Sequence, residues 1–187
     1  YIENAINEHL KPVIAKLKEA GVSVEEDVDG IRVHTSRAPK AVDIKTMPYP
    51  GFPTDLQSMA MTLLTTANGV GIITESLYEN RFMQVSELRR MGADIHQDRN
   101  HAIIKGVKKL TGTTLAASDL RAGASLVVAG LMAEGNSIIE NLHHIDRGYE
   151  NFENKLRLLG GKIERKNEEI ISPIESKITE GYNGTCI

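Results

Sequence analysis

Residues 55–95 read DLQSMAMTLLTTANGVGIITESLYENRFMQVSELRRMGADI, and residues 119–163 read DLRAGASLVVAGLMAEGNSIIENLHHIDRGYENFENKLRLLGGKI. The two stretches share one plan: an acid opens an apolar helix, a strand led by glycine follows, and an arginine precedes a second helix that ends at glycine. Such internal self-similarity is the signature of a fold built from repeated supersecondary units.

A partial copy of the same plan precedes these two. Residues 17–24 with 31–33 match residues 88–95 with 103–104, and also 156–163 with 170–171. Each copy is therefore predicted to end as helix, glycine stop, strand, turn and strand. We expect the first copy to lack its opening acid, first helix and first strand, because Tyr1 would already lie in its second helix. On this interpretation the chain is part of a longer protein.

Apolar residues at helical spacing alternate with short β-rich runs, so the pattern predicts an α/β fold. We expect one domain over residues 1–171, built from βαβαββ repeats. Its partial first repeat covers about residues 1–36, the second about 37–106 and the third about 107–171. A tail of unclear role covers residues 172–187.

Composition excludes several classes of function. The net charge of −3 over 187 residues argues against a nucleic-acid partner. The longest apolar run, residues 124–133, is half a membrane span, so no membrane partner is expected. A single cysteine, Cys186, excludes an internal disulfide framework. We therefore expect a soluble, cytoplasmic protein.

The sequence offers few candidate metal or cofactor sites. His143 and His144 precede Asp146, but adjacent histidines in a strand point to opposite faces and no third ligand has suitable spacing. Phosphate-binding glycine motifs are also missing from the sequence. We expect no metal and no cofactor.

Two acids and three arginines remain as candidates for chemistry. Asp55 and Asp119 occupy the same point of successive repeats, where an acid either caps a helix or acts on a substrate. Arg81 and Arg147 are expected at helix starts, where a cation is mildly unfavourable unless an anion joins it. The alternative for Arg147 is an ion pair with Asp146 or Glu150. A further candidate, Arg121, could extend a cluster with Asp119.

Four motifs resemble, in order and spacing, the UDP-N-acetylglucosamine 1-carboxyvinyltransferases of the enolpyruvyl transferase family. They are PGFPTDLQ (50–57), TESLYENRF (74–82), DLRAGASL (119–126) and HIDRGYE (144–150). The resemblance runs from about residue 1 to 168 and covers the later part of such an enzyme. It implies one domain of an inside-out α/β barrel made of βαβαββ units.

The resemblance also implies a reaction and its substrates. The 3′-hydroxyl of UDP-N-acetylglucosamine attacks C2 of phosphoenolpyruvate while C3 gains a proton, and phosphate then leaves, in the step that opens peptidoglycan synthesis. Asp55 matches the base at the sugar hydroxyl, and Arg147 matches the arginine that holds phosphoenolpyruvate. Leu77 matches a backbone contact to the nucleotide sugar. Positions matching residues near the substrates are Arg81, Asp119 and Arg121.

The family's N-terminal Lys-Asn pair and its loop with a reactive cysteine have no counterpart in this chain. We therefore expect the chain to form one wall of an active site, to need the missing domain as its partner, and to be inactive alone. The tail either replaces the family's opening strand pair or has no structural role. Two other interpretations stay open, namely a domain of a 3-phosphoshikimate 1-carboxyvinyltransferase and a non-catalytic binding domain of the same fold.

Overall fold

A computed structural model describes residues 1–166 and the strand 184–186 of the chain. Its α-helices are α1 (Asn7–Glu19), α2 (Gln57–Leu64), α3 (Val85–Arg90), α4 (Leu120–Met132), α5 (His143–Asp146) and α6 (Phe152–Leu158). Its strands are β1 (Ile2–Glu3), β2 (Ser23–Glu26), β3 (Gly30–His34), β4 (Ile44–Lys45), β5 (Val70–Thr74), β6 (Asp94–Asp98), β7 (His101–Lys105), β8 (Thr114–Ala116), β9 (Ile138–Glu140), β10 (Glu164–Arg165) and β11 (Gly184–Cys186). A 3-10 turn (Thr54–Leu56) precedes α2.

The chain divides into two compact units. The first contains Tyr1–Phe82 and Ala93–Lys108, and the second contains Met83–Gly92 and the chain from Lys109 onward. The helix α3 of the predicted second repeat therefore belongs to the second unit, although β6 and β7 of that repeat belong to the first. The division into repeats and the boundary at residue 171 stay predictions.

The first unit contains a small sheet in the order β1-β3-β2. Buried residues of α1, of the loop before β2 and of the strands form its core: Ile14, Val22, Val24 and Ile31, with Leu10 and Leu17 packed against them. The prediction that Tyr1 lies inside a helix is wrong, because α1 begins at Asn7 and Ile2–Glu3 pair antiparallel with β3. The left-handed backbone of Asn4 separates strand from helix and interrupts the helical spacing.

A second sheet of the first unit has the order β4-β5-β7-β6. The strands β4 and β5 are parallel, whereas β7 is antiparallel to both of its neighbours. The helix α2 packs on β5 and β7. Alternating residues of the strands point inward, and Ile73 and Ile104 are fully buried, as are Met61 and Leu64 of the helix. The elements from β4 to β7, with α3, follow the predicted βαβαββ order.

The sheet of the second unit repeats this topology in the order β8-β9-β11-β10. The strands β8 and β9 are parallel, and β11 runs antiparallel between β9 and β10, as β7 does between β5 and β6. Residues 184–186 of the predicted tail thus form the fourth and last strand of this copy. The run at residues 170–171, which the sequence pattern assigned to that strand, lies outside the described residues, as do residues 172–183.

In each of the three copies one glycine ends the second helix, as predicted. Gly21, Gly92 and Gly160 follow α1, α3 and α6 with φ of 85°, 92° and 91°. These left-handed conformations favour glycine because it has no Cβ. The repeated stop fixes where each terminal strand pair begins.

Candidate functional site

Asp55 and Arg81 meet in the first unit. Arg81 Nη1 lies 3.4 Å from Asp55 Oδ1, and the guanidinium stacks over the Tyr78 ring, 4.2 Å from the ring centre. The Asp55 side chain is 62% exposed, whereas the Arg81 side chain is only 20% exposed. The pair is long for a hydrogen bond, so the arginine is held mainly by its own loop while the carboxylate faces solvent.

Asp55 lies in the first turn of a helical segment, in agreement with the helix-start position predicted for it. It is the middle residue of the 3-10 turn, whose N-cap position belongs to Pro53. The neighbouring Thr54 hydroxyl donates to Glu75 Oε2 at 2.8 Å. The turn is thereby anchored beside Asp55 by a buried side chain.

Glu75, at the end of β5, is a buried acid that the sequence interpretation missed; it is 2% exposed. Its Oε1 accepts hydrogen bonds from the Thr46 hydroxyl at 2.7 Å and from the amides of Leu77 and Tyr78 at 2.9 and 3.3 Å. One carboxylate therefore joins the end of β4, the start of the 3-10 turn and the loop that carries Leu77 and Arg81. The only signal in the sequence is a charged residue directly after an apolar strand.

Leu77 lies in the exposed loop that follows Glu75. The residue is 37% exposed. The Tyr78 amide, which shares a trans peptide group with the Leu77 carbonyl, donates to Glu75, so the carbonyl points away from Glu75. Within the described residues this carbonyl accepts no hydrogen bond. A carbonyl in this situation can accept a hydrogen bond from a ligand.

Asp119 caps α4 in the second unit. Its Oδ1 accepts hydrogen bonds from the amides of Arg121 and Ala122, at 2.8 and 3.0 Å, and its backbone is extended as an N-cap residue requires. The capping interpretation is therefore confirmed at Asp119. The structure brings Arg121 to this acid through its backbone amide, in the first turn of the helix.

Arg147 does not lie at the start of a helix, and that prediction is wrong. It is the C-cap residue of α5, while α6 begins only at Phe152. Arg81 likewise precedes α3 by four residues. A bound anion was predicted because a cation at a helix start opposes the helix dipole. That argument fails for both arginines, because loop residues separate each of them from the start of the next helix.

The alternative partner of Arg147 is also engaged elsewhere. Asp146 accepts two hydrogen bonds from Arg165, at 2.7 and 3.0 Å, and this guanidinium holds the pKa of the Asp146 carboxyl below its usual value. Arg165 also contacts Glu153 at 3.3 Å. Within the described residues Arg147 is exposed and has no ion pair. Its guanidinium is therefore available to an anionic ligand.

The predicted residues thus divide between the units, with Asp55, Leu77 and Arg81 in the first and Asp119, Arg121 and Arg147 in the second. A groove of about 940 Å³ in the first unit, lined among others by Lys45, Thr74 and His101, includes none of them. In residues 1–166 and 184–186, no helix meets the length and hydropathy of a membrane span. These residues also contain no cluster of three or more metal-binding side chains.

Comparison with known proteins decides the family. Residues 1–156 match the family model for EPSP synthase (3-phosphoshikimate 1-carboxyvinyltransferase). The chain belongs to the enolpyruvyl transferase family. Among its relatives, UDP-N-acetylglucosamine 1-carboxyvinyltransferase of Desulfofundulus thermocisternus is 56% identical over 88% of this chain and 68% of its own length. The enzyme of the same name, numbered 1, from Caldanaerobacter subterraneus subsp. tengcongensis is 55% identical over 88% of this chain and 40% of its own length.

Solved structures of enolpyruvyl transferases share the fold. The enolpyruvyl transferase NikO from Streptomyces tendae superposes with a TM-score of 0.74 at 31% identity, covering 81% of this chain and 35% of NikO. EPSP synthase from Acinetobacter baumannii gives a TM-score of 0.66 at 17% identity over 98% of this chain and 39% of the enzyme. The predicted α/β class and enolpyruvyl transferase fold are confirmed. The chain spans about 40% of the length of other curated relatives it matches.

Proposed function

We propose that this chain supplies part of the active site of a UDP-N-acetylglucosamine 1-carboxyvinyltransferase. The reaction transfers the enolpyruvyl group of phosphoenolpyruvate to the 3′-hydroxyl of UDP-N-acetylglucosamine, releases phosphate and opens peptidoglycan synthesis in the cytoplasm. The observation that carries the proposal is the 52–56% identity to enzymes of that name over 84–90% of the chain. Residues 1–171 would act as one domain, with the rest of the enzyme as partner.

Asp55 is the proposed base for the sugar hydroxyl. Its exposed carboxylate lies on an anchored turn, and a well-placed general base contributes about 10²- to 10⁴-fold to a rate. As the O3′–C2 bond forms, the hydroxyl proton passes to the base and C3 of phosphoenolpyruvate gains a proton. Loss of a C3 proton then restores the double bond as phosphate leaves C2.

Leu77 and Arg81 are proposed to bind the nucleotide sugar. The Leu77 carbonyl points away from Glu75 in an exposed loop and can act as a hydrogen-bond acceptor. Arg81 lies between Asp55 and the Tyr78 ring. A guanidinium fixed by stacking loses little freedom when it binds phosphate oxygens. The three positions therefore provide one acceptor, one base and one cation on neighbouring segments of the first unit.

Arg147 is proposed to hold phosphoenolpyruvate. It is an exposed arginine with no ion pair in the described part of the chain, and its planar fork can bind a carboxylate or phosphate through two hydrogen bonds. Positive charge at the phosphate would stabilise the transition state as negative charge shifts onto the leaving group. We also place Asp119 and Arg121 near the substrates, in a role secondary to that of Arg147. One Asp119 oxygen caps α4.

A ligand titration tests the proposal. The ¹⁵N-labelled chain would be titrated with UDP-N-acetylglucosamine and, separately, with shikimate 3-phosphate, while the amide signals of Leu77 and Arg81 are followed. We expect saturable shifts with the UDP-sugar, weakened in Asp55→Asn and retained in the control Asp94→Asn, which changes an exposed acid on β6. Preference for shikimate 3-phosphate would favour the second transferase. Absence of binding to either would contradict the proposal and favour a non-catalytic domain.

A further inference from the structure

Glu75 occupies a position at which the other two copies of the repeat have a different residue. In each copy, one strand residue pairs with the first residue of the last strand: Glu3 with Gly30, Thr74 with His101, and Glu140 with Gly184. The residues that come next are Asn4, Glu75 and Asn141. Pairing register therefore makes these three positions equivalent.

The two asparagines share a conformation that Glu75 lacks. Asn4 and Asn141 have left-handed backbones with φ of 57° and 61°, whereas Glu75 does not have a positive φ. Asparagine tolerates the left-handed region better than most residues. Both asparagines are exposed, while Glu75 is buried. The repeat can therefore be built without an acid at this point, and the acid sends the chain of the second copy along a different path.

The hydrogen bonds of Glu75 explain that path. The amides of Leu77 and Tyr78 both turn inward to Oε1, and the Thr46 hydroxyl donates to the same oxygen. Thr46, itself fully buried, accepts a hydrogen bond from the Ser76 amide at 2.9 Å. These contacts bind the loop residues 76–78 to Glu75 and Thr46. The Leu77 carbonyl is opposite the Tyr78 amide in their shared peptide group, so it is left on the outer side.

The second carboxylate oxygen links this loop to another segment. Oε2 accepts from Thr54, the first residue of the 3-10 turn that carries Asp55. Hydrogen bonds to a charged group are stronger than neutral ones, and a buried network with every member paired fixes a single arrangement. One side chain thus couples the segments of Asp55 and Leu77, which are 22 positions apart in sequence.

We propose that Glu75 is a positioning residue, which sets the geometry of Asp55, Leu77 and Arg81 for the nucleotide sugar by joining the 3-10 turn to the loop 76–81. This inference rests on the proposed function for its ligand. It assigns Glu75 no contact with substrate. Loss of the carboxylate would free the 3-10 turn and the loop from each other. A side chain that keeps the acceptor oxygen would retain their arrangement.

Two substitutions of the full 187-residue chain separate these roles. Glu75→Leu removes every acceptor, whereas Glu75→Gln keeps one oxygen for the Leu77 and Tyr78 amides. Thr54→Val removes a single donor and gives a folded comparison if Glu75→Leu does not fold. The matched control is Glu87→Gln, a side chain 16% exposed that accepts from the Ala116 amide in the second unit.

Hydrogen exchange and ligand affinity are the two measurements. We expect Glu75→Leu to speed exchange of the Leu77 and Tyr78 amides, and to weaken UDP-N-acetylglucosamine binding, by at least about tenfold each, in line with the loss of charge-assisted hydrogen bonds. Glu75→Gln should stay within about threefold of wild type on both, Thr54→Val should weaken binding with smaller changes in exchange, and Glu87→Gln should change neither.

The outcomes distinguish this inference from the proposed function. If the wild-type chain does not bind the UDP-sugar, the proposed function fails, and the exchange measurement alone decides the role of Glu75. Wild-type affinity in both Glu75→Leu and Thr54→Val would overturn the positioning role. Unchanged exchange at Leu77 and Tyr78 in Glu75→Leu would overturn it as well, whatever the ligand result.

Discussion

Asp119→Ala should destabilise the chain, while Asp119→Asn should leave its stability nearly unchanged. The reason is the geometry of the cap, in which one carboxylate oxygen accepts from two amides of the first turn of α4, at 2.8 and 3.0 Å. Alanine leaves both amides without this acceptor. Asparagine keeps an acceptor oxygen at the same distance along the side chain and caps helices about as well as aspartate.

The expected sizes follow from those contacts. Loss of a capping side chain costs about 1 kcal/mol and at most about 2 kcal/mol. The negative charge at the positive end of the helix adds about 0.3–1 kcal/mol. Asp119→Ala loses both contributions, or about 1.5–2 kcal/mol, and Asp119→Asn loses only the second, about 0.5 kcal/mol. For a chain of this size, 1.5 kcal/mol corresponds to a fall in Tm of about 3–6 °C.

Thermal and urea unfolding, followed by circular dichroism, measure the difference. Ser118→Ala is the control, because it changes the exposed neighbour and should stay within about 0.5 kcal/mol of wild type. Equal losses in the alanine and asparagine variants would refute the capping argument. The asparagine variant, which stays folded, then shows by ligand titration whether Asp119 also contributes to substrate binding.

Three other perturbations have expected outcomes. Arg147→Gln should change the free energy of unfolding by less than about 0.5 kcal/mol, since Arg147 is exposed and has no ion pair in the described residues, yet weaken phosphoenolpyruvate binding measured by calorimetry at least about tenfold. Arg165→Ala should lower the free energy of unfolding by about 1 kcal/mol at pH 7, because solvent screens this partly exposed ion pair. The pKa of Asp146 is lowered in the folded chain, so the carboxylate loses its charge, and the ion pair its contribution, only at low pH. Urea titrations should therefore show the difference between variant and wild type shrinking as the pH falls below 3.8. Gly123→Val should cost about 2 kcal/mol or more in the same assay, because a Cβ there would lie 2.7 Å from Ile145 Cγ1, and Gly123→Ala should cost less.

The repeat and its glycine stops could be predicted because both depend on local rules. Helical spacing marks α4, and the left-handed conformations of Gly21, Gly92 and Gly160 require a residue without a side chain. The cap at Asp119 follows from the same local chemistry. The residues assigned to the site were identified by their match to family motifs. Their spacing alone was equally consistent with structural roles such as helix caps and ion pairs.

Other features depend on contacts between distant segments and were missed. Ile2 continues the helical spacing of α1, but its pairing with Ile31 of β3 takes precedence. Asp146 pairs with Arg165, 19 positions away, so the local alternative for Arg147 was wrong. The last of the four strands in the sheet of the second unit is formed by residues 184–186, far from the run that the pattern favoured. Glu75 was missed because its partners become neighbours only when the chain folds.

Phosphate release from phosphoenolpyruvate in the presence of UDP-N-acetylglucosamine tests the central claim most directly. The chain would be assayed alone and then mixed with the part of the Caldanaerobacter enzyme that it does not match. We predict release by the mixture, loss of release when the chain carries Asp55→Ala, and retention with the control Asp94→Asn. A mixture of folded partners that releases no phosphate, or one that releases it equally with Asp55→Ala, would contradict the account.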